Sequence, residues 1–237
     1  DANPITNNLF SNMKYLVIEC IYERIEISYT TDENKSPILY TSSTGEEGSF
    51  EHWDLNYVKY LNKGEKLYIY GNNEGSISDE NNHFKISRIK TTGDDSFGGN
   101  WGDYTNNGQA KLYGNLKALT NIDIPYLQYD YEFYCLFQNS NAIVDCGKLV
   151  LPNDSKYMAF KKMFYGCSSL KKAPIIPNEI MENDMYEGMF YGCSYLEEIT
   201  CLTNSPSTDA CFMWLYDAGN LVSNPTFYKK KAVEWAI

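Results

Sequence analysis

The chain carries two rhythms of apolar and polar positions. Across residues 13–120 short runs alternate at a spacing of two, and across residues 131–218 apolar clusters recur every 25 to 27 residues. The second rhythm is the stronger. Met163-Phe164-Tyr165-Gly166-Cys167-Ser168-Ser169-Leu170 returns 26 residues later as Met189-Phe190-Tyr191-Gly192-Cys193-Ser194-Tyr195-Leu196, and a fixed period of that size means stacked units. Phe160, Met163 and Phe164 stand at i, i+3 and i+4; their counterparts are Phe133, Leu136 and Phe137, then Tyr186, Met189 and Phe190, then Cys211, Trp214 and Leu215. The spacing predicts four units sharing a helical-turn face. Gly166 and Gly192 are expected to end the turn, because glycine enters the left-handed region cheaply.

After each glycine comes a strand pattern, Leu170-x-x-Ala173-x-Ile175 and Leu196-x-x-Ile199-x-Cys201, which is the L-x-x-L-x-L of leucine-rich repeats. Pro174 and Pro177 predict short strands, since proline has no N–H for a ladder. Strict alternation turns Lys172, Pro174 and Ile176 of one unit and Glu198, Thr200 and Leu202 of the next toward solvent. Lys171-Lys172 then align with Glu197-Glu198, a cross-strand match contributing about 0.2 to 1 kcal/mol per pair.

The N-terminal half begins with a polar tail, residues 1–12, expected to be mobile. Strands are predicted at Tyr15–Cys20, Arg24–Tyr29, Pro37–Thr41, Lys66–Tyr70, His83–Ile89 and Lys111–Leu116, with the first two as a close antiparallel pair around Glu23. Short strands punctuated by turns, without a long helix, point to a β-sandwich-like or barrel-like domain over residues 13–120. The junction at Thr120–Asp130 is too apolar for a solvated tether, so the domain is expected to pack against the repeats of 121–237, which finish in a terminal cap burying Phe227 and Trp235 and exposing Lys229-Lys230-Lys231.

The M-F-Y-G-C-S-S-L…A-P-I-I-P and M-F-Y-G-C-S-Y-L runs resemble the BspA-like leucine-rich repeats of surface proteins from gut and oral Bacteroidetes and from some protists. The Tyr70-Gly71-Asn72 and Tyr113-Gly114-Asn115 stretches are similar to the β-domain that precedes such repeats. The resemblance implies an α+β, mostly β fold, a β-sandwich-like domain followed by a short BspA-like leucine-rich-repeat solenoid. It also implies an exported, cell-surface protein whose signal or anchor segment is absent from this chain, and a role in adhesion. Similar cysteines flank the loop between Cys201 and Cys211 in such repeats, so the resemblance implies a disulfide there, two free thiols being the alternative.

Composition narrows the chemistry. A net charge of −11 opposes phosphate backbones and anionic lipid, which disfavours nucleic acid, and no uninterrupted apolar run reaches the about 18 residues of a membrane span. Seven cysteines without a C-x-x-C pair fit neither a zinc module nor a redox motif, and Cys167 and Cys193 share a repeat position, which reads as stacked buried thiols. The Gly-rich loop Asp94–Asp103 holds three carboxylates but lacks the EF-hand spacing, and reads as solvated. His52 and His83 are the two histidines, neither in a recognised catalytic signature. The expectation is therefore a non-enzymatic module without cofactor or metal.

Two readings of its function stand. One is adhesin-like contact with a host or bacterial surface or matrix protein through the strip Lys172, Pro174, Ile176, Glu198, Thr200 and Leu202. The other is carbohydrate capture in glycan acquisition, for which a tyrosine-rich composition supplies rings with polar tips; 21 tyrosines make it a real alternative. Exposure of Trp53 and Trp101 beside tyrosines favours sugar, and their burial favours protein.

Overall fold

The computed structural model describes residues 14–31, 37–55, 57–73, 77–78, 84–86, 89–91, 108–121, 123–231 and 233. The expected tail at residues 1–12, the Asp94–Asp103 loop, His83, Trp101 and Trp235 lie outside them. The fold is mostly β, and the helical element among the described residues is one 3-10 turn, Leu116–Leu119.

The strands are β1 (Leu16–Tyr22), β2 (Arg24–Ile27), β3 (Leu39–Ser42), β4 (Glu51–His52), β5 (Lys59–Asn62), β6 (Lys66–Gly71), β7 (Lys90–Thr91), β8 (Gln109–Asn115), β9 (Ile143–Val150), β10 (Glu198–Cys201) and β11 (Thr226–Lys229). One sheet has the order β4-β3-β6-β1-β8-β9 and a smaller one β5-β2-β7. Alternation sorts side chains as expected: Leu16, Ile18, Cys20, Leu67, Ile69, Ala110 and Leu112 are buried on one face and join Ile25, Ile27, Trp53 and Phe84 in the core.

β1 and β2 do not pair, contrary to the expected hairpin. β1 bonds to β6 and β8, and β2 bonds to β5 and β7 in the other sheet. A single residue, Glu23, separates them, held at φ 51 with its carbonyl 3.3 Å from the Cys20 thiol. Two-residue loops are the common minimum for a hairpin, so this shorter link hands the chain from one sheet to the other. The strand expected at His83–Ile89 reduces, where described, to a bridge from Lys85 to Thr30 and to β7 beyond.

The repeats contain no helix. Residues at positive φ recur every fourth position: Tyr131, Cys135 and Asn139; Met158, Lys162 and Gly166; Asp184, Gly188 and Gly192; Met213 and Asp217. Each unit is a ribbon of successive turns whose N–H groups alternate in use. Met163, Tyr165 and Cys167 donate three residues back, to Phe160, Lys162 and Phe164, while Phe160, Lys162, Phe164 and Gly166 donate to Met185, Glu187, Met189 and Tyr191 in the next unit. A helix would use all these donors internally; the ribbon reserves every second one for its neighbour. The i, i+3, i+4 pattern thus marks a four-residue turn period, and Gly166 and Gly192 are members of a left-handed series rather than helix ends.

The reserved donors set the stacking. Phe133 lies over Phe160 and Phe160 over Tyr186 at 5.9 and 5.4 Å between ring centroids, and Phe137, Phe164 and Phe190 form a second column at 5.4 and 5.7 Å. Hydroxyl and thiol groups add a third link. Ser140 donates to Ile86 O, Cys167 to Phe137 O at 3.0 Å and Cys193 to Phe164 O at 3.2 Å, so one repeat position ties each ribbon to the backbone before it.

The large sheet runs on through the repeats. β9 pairs in parallel with β8, single parallel bridges join Asp145 to Lys172 and Lys172 to Glu198, and β10 pairs in parallel with β11. At the same seam lies a buried ion pair: the Lys117 ammonium contacts the Glu132 carboxylate, both about 1% exposed. Glu132 also accepts from Thr120 Oγ1 (3.1 Å), Gln128 N (2.8 Å) and Tyr129 N (3.2 Å), which answers its remaining lone pairs. At the far end Phe227 packs edge-on against Trp214, while Phe212, Met213, Tyr216, Leu221 and Tyr228 remain exposed, so the described part of the expected cap is less closed than anticipated.

Two substitutions test this architecture by thermal and denaturant unfolding. Gly192→Ala, where a Cβ has only Gly166 Cα at 3.8 Å, is expected to cost the conformational penalty alone, about 1–2 kcal/mol; Gly166→Ala, whose Cβ at 2.2 Å from Oδ1 displaces only the exposed Asn139 amide, is expected to cost about the same. A loss at Gly192 far above that range would show that the ribbons pack more tightly than this register allows. Removing one partner of the buried pair, by Glu132→Gln or Lys117→Met, should destabilise by about 3–5 kcal/mol and the double substitution by less than the sum; additive small effects would place the pair in solvent.

Candidate binding face

The face of the large sheet that points away from the core is a candidate surface because one row of alternating charge crosses it from both halves. Register places Lys66 opposite Glu19, Glu19 opposite Lys111, Lys111 opposite Asp145, Asp145 opposite Lys172 and Lys172 opposite Glu198. Lys111 Nζ lies 3.8 Å from Asp145 Oδ2, Lys172 Nζ 3.6 Å from Glu198 Oε1, and beside them Lys171 Nζ 3.5 Å from Glu197 Oε1. The Lys171-Lys172 to Glu197-Glu198 alignment expected from the repeat is thus formed. These groups are about half exposed, so each pair stabilises by under about 1 kcal/mol and its main effect is on register.

Next to the charges lies a field of half-exposed rings. Val17 is flanked in register by Tyr68 and Tyr113, and the rings of Tyr15, Phe50, Tyr70, Tyr40 and His52 continue toward β4. Tyr40 stacks on Tyr70 at 5.0 Å, Phe50 meets Tyr70 edge-on at 5.0 Å, Tyr15 lies 4.7 Å from Phe50, and His52 meets Tyr40 edge-on at 5.8 Å. Burial raises the Tyr70 phenol, with Tyr40 and Tyr15 adding to it, so its hydroxyl stays protonated as a donor. Burial also raises Tyr113, opposed by the neighbouring Lys66 ammonium and reinforced by Glu19. Between charges and rings a groove of about 270 Å³ opens along β8 and β9, lined by Glu19, Lys111, Leu112, Tyr113, Asp145 and Lys148.

The strip expected from the repeat strands is only partly on this face. Lys172 is exposed, and Glu198, Thr200 and Leu202 are half-buried, but Pro174 is buried and Ile176 is 0% exposed. The cause is a change of parity. Lys172 bridges to Glu198, yet Ile176 bridges to Cys201, so four steps on one unit oppose three on the next. One extra residue at Ala173-Pro174-Ile175 flips the side chains beyond it, which leaves Ile175 half-exposed and sends Ile176 into the core.

Trp53 is also in the core. It is 0% exposed, stands edge-on to Tyr29 at 4.9 Å and donates its Nε1–H to Tyr57 O at 2.8 Å. The tyrosines of the outer face are accessible to sequence reasoning, although the repeat strip draws the eye first: Lys66-Leu67-Tyr68-Ile69-Tyr70 and Lys111-Leu112-Tyr113 place tyrosine at the positions where alternation calls for polar side chains.

Scans against protein-family models, curated proteins and solved structures find no match to this chain. The geometry therefore stands by itself. Among the described residues, no group of three or more His, Cys, Asp or Glu is placed to hold a metal ion, and no helix is long and apolar enough to cross a membrane. His52 is exposed, with Nδ1 2.9 Å from Asp54 Oδ1.

All seven cysteines are free thiols and all are buried. Cys201 and Cys211 are not bonded to each other, and the Cys211 thiol lies 3.6 Å from Met181 Sδ. Burial pushes Cys167, Cys201 and Cys211 up to about 12 from the ordinary 9.0 and Cys193 well above it. A thiol raised on folding favours the folded state fully below its unfolded value and loses that contribution as pH rises through the folded one. Stability should accordingly decline between pH 9.0 and about 12. At pH 8 these thiols should resist iodoacetamide in the folded chain and react on unfolding, as peptide mass mapping would show; rapid labelling of Cys167 or Cys193 while folded would contradict their burial.

Proposed function

We propose that this protein is a non-enzymatic, adhesin-like interaction module of the cell surface, acting outside the cell. In this reading residues 13–120 form a β-sandwich-like domain and residues 121–237 a short leucine-rich-repeat solenoid of the BspA-like kind. The contact surface is the outward face of the shared sheet. Its partner is a host or bacterial surface or matrix protein.

The observation that carries the reading is the contiguous field of half-exposed tyrosines, Tyr15, Tyr40, Tyr68, Tyr70 and Tyr113, beside a charge row of balanced sign. Tyrosine offers a large apolar body with a polar tip at little entropic cost, which is why protein interfaces are enriched in it. Because Tyr40 and Tyr70 stack on each other, their faces are partly spent within the cluster. What the cluster presents is a knobbed surface of ring edges and hydroxyls, suited to a protein partner. The burial of Trp53 points the same way. Glycan capture is the second reading, favoured by one feature, the polar groove beside Tyr113.

A paired screen of the protein against matrix proteins and a glycan array tests both readings, run alongside a Tyr40→Ser/Tyr70→Ser variant. The expected result is capture of at least one matrix protein, weakened tenfold or more in the variant, about 1.4 kcal/mol and within the range of an interface hot spot, with the thermal transition shifted only slightly. Protein capture that ignores both tyrosines would move the contact off this face. Glycan binding without protein capture would reverse the order of the two readings.

A further inference from the structure

The groove on the outer face is produced by an irregularity of β9. Lys111 stands opposite Asp145 and Tyr113 opposite Lys148, so two steps on β8 are matched by three on β9. The surplus residue falls at Cys146-Gly147, where Cys146 is buried and Gly147 exposed without a side chain, its N–H turned to Asp145 Oδ1 at 2.9 Å. A bulge of this kind bends the strand and re-aims the side chains on either side of it. Here it opens about 270 Å³ between a strand of the N-terminal half and the first strand of the repeats.

We infer that this groove is a binding site for a neutral, hydroxyl-rich ligand, a sugar unit of a glycan, held between the Tyr113 ring and the side chains of Glu19, Asp145, Lys111 and Lys148. The inference rests on the glycan reading and gives that reading a location. Four observations support it. The lining is neutral in sum, with two carboxylates and two ammonium groups, so it offers no net attraction to an ion. Lys111 already pairs with Asp145 at 3.8 Å, and Glu19 lies in register between Lys66 and Lys111. A charged ligand must break into these pairings, whereas a hydroxyl that both donates and accepts adds to them. The half-buried Tyr113 ring supplies the apolar wall against which the C–H face of a sugar packs. The volume lies just under the roughly 300–1,000 Å³ of sites for drug-sized ligands, which fits one or two rings.

The groove is walled by paired strands, so the backbone that carries its polar groups is held in place before a ligand arrives. A longer glycan leaving it toward β1 and β6 would pass over Tyr68 and Tyr15, one strand spacing of about 4.8 Å at a time.

The test uses the full chain, a neutral and acidic glycan array, and free galactose, glucose, mannose, N-acetylglucosamine, glucosamine and sialic acid followed by calorimetry and NMR at millimolar concentration. Wild-type protein is expected to bind at least one neutral sugar, with affinity reduced about tenfold by Tyr113→Ala and several-fold by Lys148→Ala, and with monosaccharide binding retained in Tyr40→Ser/Tyr70→Ser. Lys148 is exposed, so its variant keeps the test decisive even where Tyr113→Ala fails to fold. Array binding that is undiminished in Lys148→Ala and in a folded Tyr113 variant overturns the groove assignment and leaves the glycan reading standing. Binding confined to glucosamine or sialic acid overturns the neutral-ligand assignment. No glycan bound by the wild type removes the reading and the site together.

Discussion

The repeat half depends on how its ribbons divide their backbone N–H groups. Buried peptide groups must be paired, and a segment can pair them within itself, as a helix does, or with a neighbour, as a strand does. Residues 157–167 do both in alternation. Met163, Tyr165 and Cys167 close local turns and Phe160, Lys162, Phe164 and Gly166 reach the next ribbon. The alternation imposes the left-handed residue at every fourth position, and it holds each ribbon in place over its neighbour. The near-coplanar stacking of Phe164 on Phe190, 5° between planes, results from that register. No ribbon completes its own hydrogen bonding, so stability is shared between neighbours in the manner of repeat arrays.

The first ribbon needs a neighbour on its other side, and the N-terminal half provides one. β9 adds to β8 in parallel, Ser140 donates to Ile86 O, Ala142 N donates to Ile89 O, and the Lys117–Glu132 pair closes the seam. Those links come from the strand, ribbon and turn layers, so the joint is not a hinge. A buried ion pair is weak evidence of net stability, since desolvation offsets its attraction, but it penalises any arrangement that leaves one member alone. Its effect at this position is to select a single docking of the two halves.

Much of this architecture is legible in the chain. The 26-residue period locates the ribbons and their apolar columns, and alternation locates β1, β6 and β8 with the correct faces inward. What the sequence conceals has physical reasons. A period of three and four residues is shared by a helical turn and by a ribbon of four-residue turns; positive φ at Lys162 or Met158, neither of them glycine, leaves no compositional trace. The handover at Glu23 looks like a hairpin until one notices that a single residue is too short to make one. Counting from Leu170 turns Ile176 outward, but one surplus residue at Ala173-Pro174-Ile175 reverses every parity beyond it. The candidate face is half legible: its charge row is implied by Lys171-Lys172 and Glu197-Glu198, and alternation turns the tyrosines outward, whereas joining them into one field requires knowing that β1, β6 and β3 are neighbours, which is tertiary information.

That field and the charge row divide their labour. Opposite charges facing each other across the strands favour one register, because a one-step slip turns a partner such as Asp145 to the other face of the sheet and loses its pairing with Lys111. A row with this function must be neutral in sum, and a neutral row gives a partner little long-range attraction, least of all within a protein of net charge −11. In the proposed binding role, selectivity on this face has to come from short-range contact, which means the rings of Tyr15, Tyr40, Tyr68 and Tyr70 and the groove at Tyr113. Both lie where the strands are already fixed by other interactions. Tyr40 and Tyr70 touch neither the buried columns nor the seam, so substitutions there cost the fold only their own ring contacts, whereas Tyr113 is tied to the charge row through Lys66 and Glu19 and is less free to vary.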